Sequence, residues 1–314
     1  MELSKLGEFG LIDIISGKFQ APEGVTGIGD DCAIIPQSSG LDTLVSTDML
    51  VEGTHFLMDD ISPYRLGWKS AAVNISDIAA MGGKPTATFL SLALPKGLSL
   101  EWMEEFVEGY RVISERFGCP LLGGDTTSSN DRLCINVTVL GVAPSGCVHR
   151  RSDARPGDLI CVTGTLGDSG GGLQVILKGV ERGPAEQALV KRHYEPMPRV
   201  DEGMALKSAH AMMDISDGIG SDLRHILKAS GVGAEIDTAA LPLSAELREV
   251  CAQHGWDAIS LATGGGEDYE LLFTIGPEEL EKIDVPCTVI GRITDTEGLR
   301  WLGSDEDYDG YKHF

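Results

Sequence analysis

The chain reads as an α/β protein of two domains, and three observations carry that reading. Short apolar runs of strand character alternate with segments of helical periodicity. The 40 glycines punctuate these runs, repeatedly beside an acid where an apolar segment ends. The character of the chain then changes at Pro144-Ser145-Gly146 and the basic His149-Arg150-Arg151, which sets expected domains of residues 1–145 and 146–314. A length of 314 residues fits about two domains, and a 42% hydrophobic composition separates the chain from disordered proteins.

Charge and cysteine content narrow the function. Forty-eight acidic against 25 basic side chains leave a formal charge of −23, which argues against a nucleic-acid or anionic-membrane partner. A phosphorylated substrate would need divalent cations between it and so acidic a surface. The cysteines (Cys32, Cys119, Cys134, Cys147, Cys161, Cys251 and Cys287) are scattered, odd in number and without a CxxC pair, as expected of reduced thiols in a cytoplasm. Acids at Glu2, Glu8 and Asp13 interrupt the first segment, so it does not read as a secretory signal, and no apolar run is long enough to span a bilayer.

Taken in order, residues 2–18 predict an amphipathic helix with Leu6, Phe9, Ile12 and Ile15 on one face. Gly27-Ile28-Gly29-Asp30-Asp31 is a tight turn bearing two carboxylates. The strand Thr43-Leu44-Val45 ends at Ser46-Thr47-Asp48, three oxygen-bearing side chains at the end where α/β folds collect ligands, and His55 follows on a loop. Ser62-Pro63 starts a helix that Gly82-Gly83 and Pro85 stop, giving residues 63–81. Asn74 and Asp77 share a face of it among small apolar neighbours, where a carboxylate should be paired, capped or metal-bound. Thr88–Leu94 predicts a strand. Ser99 caps a helix whose stripe is Met103, Phe106, Val107, Tyr110 and Ile113, and Leu121-Leu122 leads into the turn Gly123-Gly124-Asp125-Thr126-Thr127. Leu133–Val142 alternates as a half-exposed strand.

The second half opens with a strand, Asp158–Thr163, and a glycine-rich run, Gly164–Gly172, before a helix. That run lacks the Lys-Ser/Thr ending of a Walker A loop and the spacing of a dinucleotide fingerprint. Met212–Gly218 enters a helix carrying Leu223, Ile226 and Leu227, with Asp217 placed to cap it. Its Asp-x-Ser-Asp echoes the Asn-x-Ser-Asp of residues 74–77, a hint of duplication. Gly264–Tyr269 runs into a strand, Glu270–Ile275, and the tail 301–314 either closes over something or merely packs. Arg150-Arg151 is a candidate phosphate contact or a solvated loop.

The aspartates at 30, 48, 77, 125, 214 and 217 each stand at a glycine turn, a strand end or a helix terminus. Their recurrence points to one electronegative cleft of hard oxygen donors, suited to Mg²⁺ rather than zinc because no His/Cys set has ligand spacing. Several such ions imply a polyphosphate, hence ATP.

The motifs GIGDD (27–31), STD (46–48), NISDIAAMGG (74–83), GGDTT (123–127), DISDG (214–218) and GGEDYELLF (265–273) occur together and in this order. The chain resembles the thiamine-monophosphate kinases over essentially its whole length. NISDIAAMGG with DISDG and GGEDYELL is the specific part of the resemblance. It implies the fold of the aminoimidazole-ribonucleotide-synthetase superfamily, with two α/β domains and a homodimer whose amino-terminal sheets pair into a barrel. It also implies Mg²⁺ ligands at Asp30, Ser46, Thr47, Asp48, Asp77, Asp125, Asp214 and Asp217. Nucleotide contacts fall at Tyr110, Gly124, Asp125, Arg151 and Ser216, and thiamine phosphate contacts at His55, Glu267 and Tyr311. The departures are Asp153, where the family often has glycine, and Lys312, where it often has an acid.

The expected reaction is ATP- and Mg²⁺-dependent conversion of thiamine monophosphate to thiamine diphosphate. A phosphate monoester has a second pKa of about 6 and is already anionic at neutral pH, so in-line transfer needs no general base and no phosphoenzyme. The alternatives are a ligase of the aminoimidazole ribonucleotide synthetase type and a metal- and nucleotide-binding module without turnover.

Overall fold

The computed structural model describes residues 22–37, 39–304 and 306–311, so the helix expected over 2–18 lies outside the described residues. The first half runs β1 (Ala33–Pro36), β2 (Leu41–Val51), α1 (Pro63–Ala80), β3 (Lys84–Leu94), α2 (Leu100–Arg116), β4 (Leu121–Ser128) and β5 (Cys134–Pro144). Among the described residues these strands form a mixed sheet in the order β1-β2-β5-β3-β4. Only β3 and β4 are parallel, and α2 is the crossover such a pair requires.

Helix α1 is the centre of the molecule. Ser62 accepts the Arg65 N–H at 3.3 Å, Pro63 occupies the first turn, and Gly82 follows the last one at φ +69°. It is buried without a break from Leu66 to Ser76, as a helix apolar on all sides must be. Its backbone touches that of α2. A Cβ on Gly67 would stand 1.9 Å from the Phe106 carbonyl oxygen, and one on Gly109 would stand 1.8 Å from that of Tyr64. Two reciprocal glycines therefore set the spacing between the helices.

One expected strand end and one expected turn lie within strands. β2 does not end at Ser46-Thr47-Asp48: it pairs with β5 from Leu41↔Pro144 to Val51↔Cys134, which holds those three residues mid-strand. β4 likewise runs through Gly123 and Gly124, because Gly124, at φ +152°, passes Leu90 where a Cβ would lie 1.7 Å from its carbonyl oxygen. The alternation expected for 133–142 is present, with Ile135, Val137 and Val139 facing inward.

The second half contains β6 (Leu159–Val162), α3 (Asp168–Leu177), α4 (Pro184–Tyr194), α5 (Val200–Ala205), β7 (Met212–Asp214), α6 (Ile219–Ser230) and β8 (Gly233–Asp237). It continues with α7 (Ala245–His254), α8 (Ala258–Gly264), β9 (Leu271–Ile275), α9 (Pro277–Leu280), β10 (Thr288–Thr294) and β11 (Gly298–Leu302). Its strands order as β11-β8-β10-β6-β9-β7. One apolar core extends from the first sheet through α1 to Leu189 and Val190 of α4 and Phe273 of β9, while a second fills the other face of the second sheet. The halves are further tied by Trp68, whose Nε1–H donates to the Pro196 carbonyl at 2.8 Å, and by Asp60, which pairs with Arg182 and accepts from the Tyr194 hydroxyl. No described helix is long and apolar enough to cross a membrane.

Gly109→Ala should lower stability by about 1–3 kcal/mol, because the added methyl meets backbone that cannot rotate away. Val107→Ala, on the exposed face of the same helix, should change it by less than about 0.5 kcal/mol. Urea midpoints of the two variants compare them, and an unshifted Gly109→Ala midpoint would show that the helices can part freely.

Candidate functional site

A cleft of about 1020 Å³ opens between the halves, floored by β2 and α1 and walled by the 214–217 and 265–269 segments, α3 and α6. At one end Asp31, Asp77 and Asp214 bring carboxylate oxygens within 4.8 Å of one another. They arrive from a glycine turn, the last turn of α1 and the end of β7. Burial and the neighbouring Asp31 push Asp214 up to about 7, although the Ser76 hydroxyl donates to it at 2.5 Å. Burial, Asp48, Asp214 and Asp31 hold Asp77 well above the usual carboxylate range, against a 2.5 Å hydrogen bond from Ser46. Asn74 Oδ1 accepts the Asp48 N–H at 3.1 Å and so pins β2 to α1. Like charges gathered in a buried place, with oxygen donors alone, fit a hard divalent cation of the magnesium type.

The adjacent pair Asp30-Asp31 divides its work, since neighbouring side chains in a turn point apart. Asp30 Oδ1 accepts the Arg151 N–H at 2.8 Å, while Asp31 takes the Arg151 guanidinium at 2.8 and 3.2 Å and faces the other carboxylates. The family resemblance points to Asp30, and nothing in the local sequence marks Asp31 as the one of the pair that faces the other carboxylates.

Two helix starts are occupied from within. Asp222 Oδ2, in the first turn of α6, accepts the N–H groups of Ser216, Asp217 and Gly218 at 3.1, 3.2 and 3.1 Å, which ties the loop before the helix back onto it and leaves Asp217 to line the cleft. At the start of α3, Asp268 accepts from Gly167 at 2.7 Å and Ser169 at 3.2 Å, while burial pushes its carboxyl up to about 7. The glycine-rich run 164–172 thus wraps one of the chain's own carboxylates. The spacing from Gly218 to Asp222 was the available signal for the first contact, and nothing local marks the second.

The far end of the cleft is different in kind. Lys69, fully buried, places Nζ 2.8 Å from Glu267 Oε1, and His193 Nδ1 lies 3.4 Å from Oε2. His193, pushed down to about 3 by burial with Lys69 adding to it, is neutral. Glu267 and Tyr269 adopt φ +56° and +51°, conformations side chains rarely take, in the turn between α8 and β9. His55 Nδ1 accepts the Val51 N–H at 3.0 Å, so the neutral ring carries its proton on Nε2, a donor suited to a phosphate oxygen. Leu50, Leu57, Leu173, Ile176 and Leu177 make this end apolar. Residues 308–311 lie against the 216–218 loop: Tyr311 donates its N–H to the Asp217 carbonyl at 2.8 Å, and Gly220 leaves room for Tyr308.

The cleft gathers Asp30, Ser46, Thr47, Asp48, His55, Asp77, Arg151, Asp214, Ser216, Asp217, Glu267 and Tyr311. The Thr47 hydroxyl is turned to the opposite face of the sheet, donating to Val137 O and meeting Asn136 and Thr138. Gly124 and Asp125 stand on the exposed edge strand β4. Asp48 is level with Gly124 across Val137 and Leu90, three strand spacings or about 14 Å away. Tyr110 is packed between α2 and the first sheet, away from the cleft.

Residues 29–143 match the family of AIR synthase related proteins, N-terminal domain, and residues 155–301 match its C-terminal domain. The chain is 40% identical to the thiamine-monophosphate kinase of Aquifex aeolicus over 316 aligned positions that cover 100% of each protein. It is 43% identical to that of Escherichia coli K12 over 307 positions, covering 92% of this chain and 91% of that one. It also superposes, with a TM-score of 0.92, on a solved structure described as "AaThiL complexed with AMPPCP and TMP", 40% identical, covering 100% of this chain and 99% of the other.

Because Asp214 is raised to about 7 from a model-peptide value of 3.8, and Asp77 is raised too, the folded chain without metal binds more protons than the unfolded chain between about pH 4 and 7. Stability conferred by those protons is complete below that window and is lost as pH rises through it. In chelator, the melting temperature should therefore fall from about pH 5 to about pH 8, and Mg²⁺ should restore it more at the higher pH. The slope should flatten in Asp214→Asn; a chelated melting curve indifferent to both pH and this substitution would contradict the repulsion.

Proposed function

We propose that this chain, which belongs to the AIR synthase related proteins and within them to the thiamine-monophosphate kinases, transfers the γ-phosphoryl group of ATP to thiamine monophosphate, yielding thiamine diphosphate and ADP. The reading places it in the cytoplasm, in the biosynthesis of thiamine diphosphate. One observation carries it: a single cleft has a polycarboxylate end, suited to metal-borne phosphates, and an apolar end with one ion pair, suited to a heterocycle. The related structure that binds AMPPCP and TMP supports the same pairing of ligands.

In this reading Asp31, Asp77 and Asp214 hold Mg²⁺, with Asp30, Ser46, Asp48 and Asp217 completing the ion sites; Thr47, whose hydroxyl is bonded on the opposite face, has only its main-chain oxygen to offer them. When bound, Mg²⁺ supplies neutralisation between the carboxylates and the phosphates and fixes their relative orientation. Arg151 and Ser216 meet the nucleotide. His55 offers Nε2–H to the acceptor phosphate, and Glu267 and Tyr311 border the organic part of that substrate. The acceptor oxygen is an anion at neutral pH, so the chain's task is positioning and exclusion of water, without a general base or a phosphoenzyme.

We further infer a homodimer. The outer face of the first sheet exposes Met49 and Phe89, and the edge strand β4 is exposed throughout, a pairing surface that an isolated protein seldom leaves open. Pairing of two such sheets into a barrel would bring Gly124 and Asp125 of a second copy to the nucleotide and its metal, a reach that the three strand spacings within one chain preclude. Residues 1–145 then carry dimerisation and most metal binding, and residues 146–314 the remaining α/β domain.

Product analysis with ATP, Mg²⁺ and thiamine monophosphate should yield thiamine diphosphate and ADP in equal amounts, with inversion at phosphorus. Absence of thiamine diphosphate from folded, metal-loaded protein would leave the ligase or the binding module. Asp77→Asn should cut kcat by a factor of about 100 or more without lowering the melting temperature of the chelated protein, because asparagine resembles the protonated Asp77 that burial and its acidic neighbours already favour there. A large loss of stability would assign Asp77 a structural role instead.

A further inference from the structure

Lys69 lies in the middle of α1 with 0% of its side chain exposed, and a lysine so buried persists only when its charge is matched. Spaced by four residues, Lys69, Val73 and Asp77 lie along one side of the helix, and Val73 and Asp77 line the cleft. The eight residues from Lys69 to Asp77 correspond to about 12 Å along the axis, so Lys69 belongs to the heterocycle end of the cleft and not to the metal end.

Its ammonium has two partners there, the Glu267 carboxylate at 2.8 Å and the His55 carbonyl oxygen at 3.4 Å. These are the side chain of one expected acceptor contact and the main chain of another. The first belongs to a turn in a left-handed conformation, tied by its own N–H to Ser216 O at 2.7 Å, and the second to the loop after β2. Glu267 keeps 23% of its side chain open, whereas Lys69 has no exposed atom with which to reach a ligand. The other Glu267 oxygen faces His193, itself 3.0 Å from the Ser169 hydroxyl. Lys69 therefore acts through its partners.

We propose that Lys69 is a positioning residue that fastens Glu267 and the His55 loop at fixed spacing, so that the Glu267 carboxylate receives the hydrogen-bond donors of the acceptor's heterocycle and sets its affinity. The proposal rests on the kinase reading. Its selectivity follows from place: the nucleotide end of the cleft, built on Asp31, Asp77, Asp214 and Arg151, makes no contact with Lys69.

The experiment compares wild type, Lys69→Met, Lys69→Arg, Glu267→Gln and the double variant Lys69→Met/Glu267→Gln, varying thiamine monophosphate and ATP separately. Lys69→Met should raise KM for thiamine monophosphate at least about tenfold while KM for ATP stays within about twofold, and Lys69→Arg should recover part of the loss. The double variant removes both buried charges and should fold even if Lys69→Met does not. Its KM for thiamine monophosphate should stay within about threefold of that of Glu267→Gln alone, because the 2.8 Å pair with Glu267 is the main tie and the 3.4 Å contact to the His55 carbonyl the lesser one. An unchanged KM in Lys69→Met, equal rises for both substrates, or a double variant about tenfold worse than Glu267→Gln would overturn the proposal. If wild type makes no thiamine diphosphate, the kinase reading fails on its own. Calorimetric titration of thiamine monophosphate into the same proteins then still tests Lys69, with unaltered affinity in the double variant relative to wild type counting against it.

Discussion

The repulsion among Asp31, Asp77 and Asp214 is the constraint to which the surrounding structure answers. Each carboxylate is brought in by a different segment and receives one partner: Arg151 on Asp31, Ser46 on Asp77, Ser76 on Asp214. One partner apiece is too little to neutralise three buried charges, and the raised proton affinity of Asp77 and Asp214 registers the imbalance. Such an arrangement is held together by what surrounds it. The unbroken burial of α1, the backbone contact through Gly67 and Gly109, and the shared apolar core between the halves all resist the separation that the carboxylates favour.

The same helix gives the cleft its polarity. Asp77 stands at the carboxylate end and Lys69 two turns earlier, beside apolar side chains from α3 and the loop after β2. One helix thus carries a carboxylate that lines the cleft and, two turns earlier, a buried ammonium that meets the cleft through its partner Glu267. The separation of tasks along one helix explains why residues of such different character lie on it among alanines.

Much of this was legible in the sequence, and the exceptions have physical causes. Caps and stops delimit α1 to within a residue, and alternation delimits the inward face of β5. Glycine next to acid was a weaker guide: it reads as turn at Gly123-Gly124-Asp125, yet pairing with β3 holds β4 extended there, and pairing with β5 likewise carries β2 past Ser46-Thr47-Asp48 and turns the Thr47 hydroxyl to the outer face. Register is a long-range property that no local window contains. The choice of Asp31 over Asp30 depends on which way a turn rotates. Lys69, a lone lysine within α1, has no local partner that marks it as buried, and its partner Glu267 comes from the second half of the chain. Asp222 and Asp268 have meaning only once the N–H groups they satisfy have been placed.

Those two aspartates carry a consequence for how the molecule senses its surroundings. The helix starts beside glycine turns, where other proteins offer bare peptide N–H groups to phosphate, already embrace carboxylates of the chain itself. An anion entering alone meets little in those turns to attract it, and the acidic cleft turns it away. Under the proposed metal-borne binding, occupancy grows with the product of two activities, that of the anion and that of the free divalent cation, so that withdrawing the cation would empty the cleft as surely as withdrawing the nucleotide.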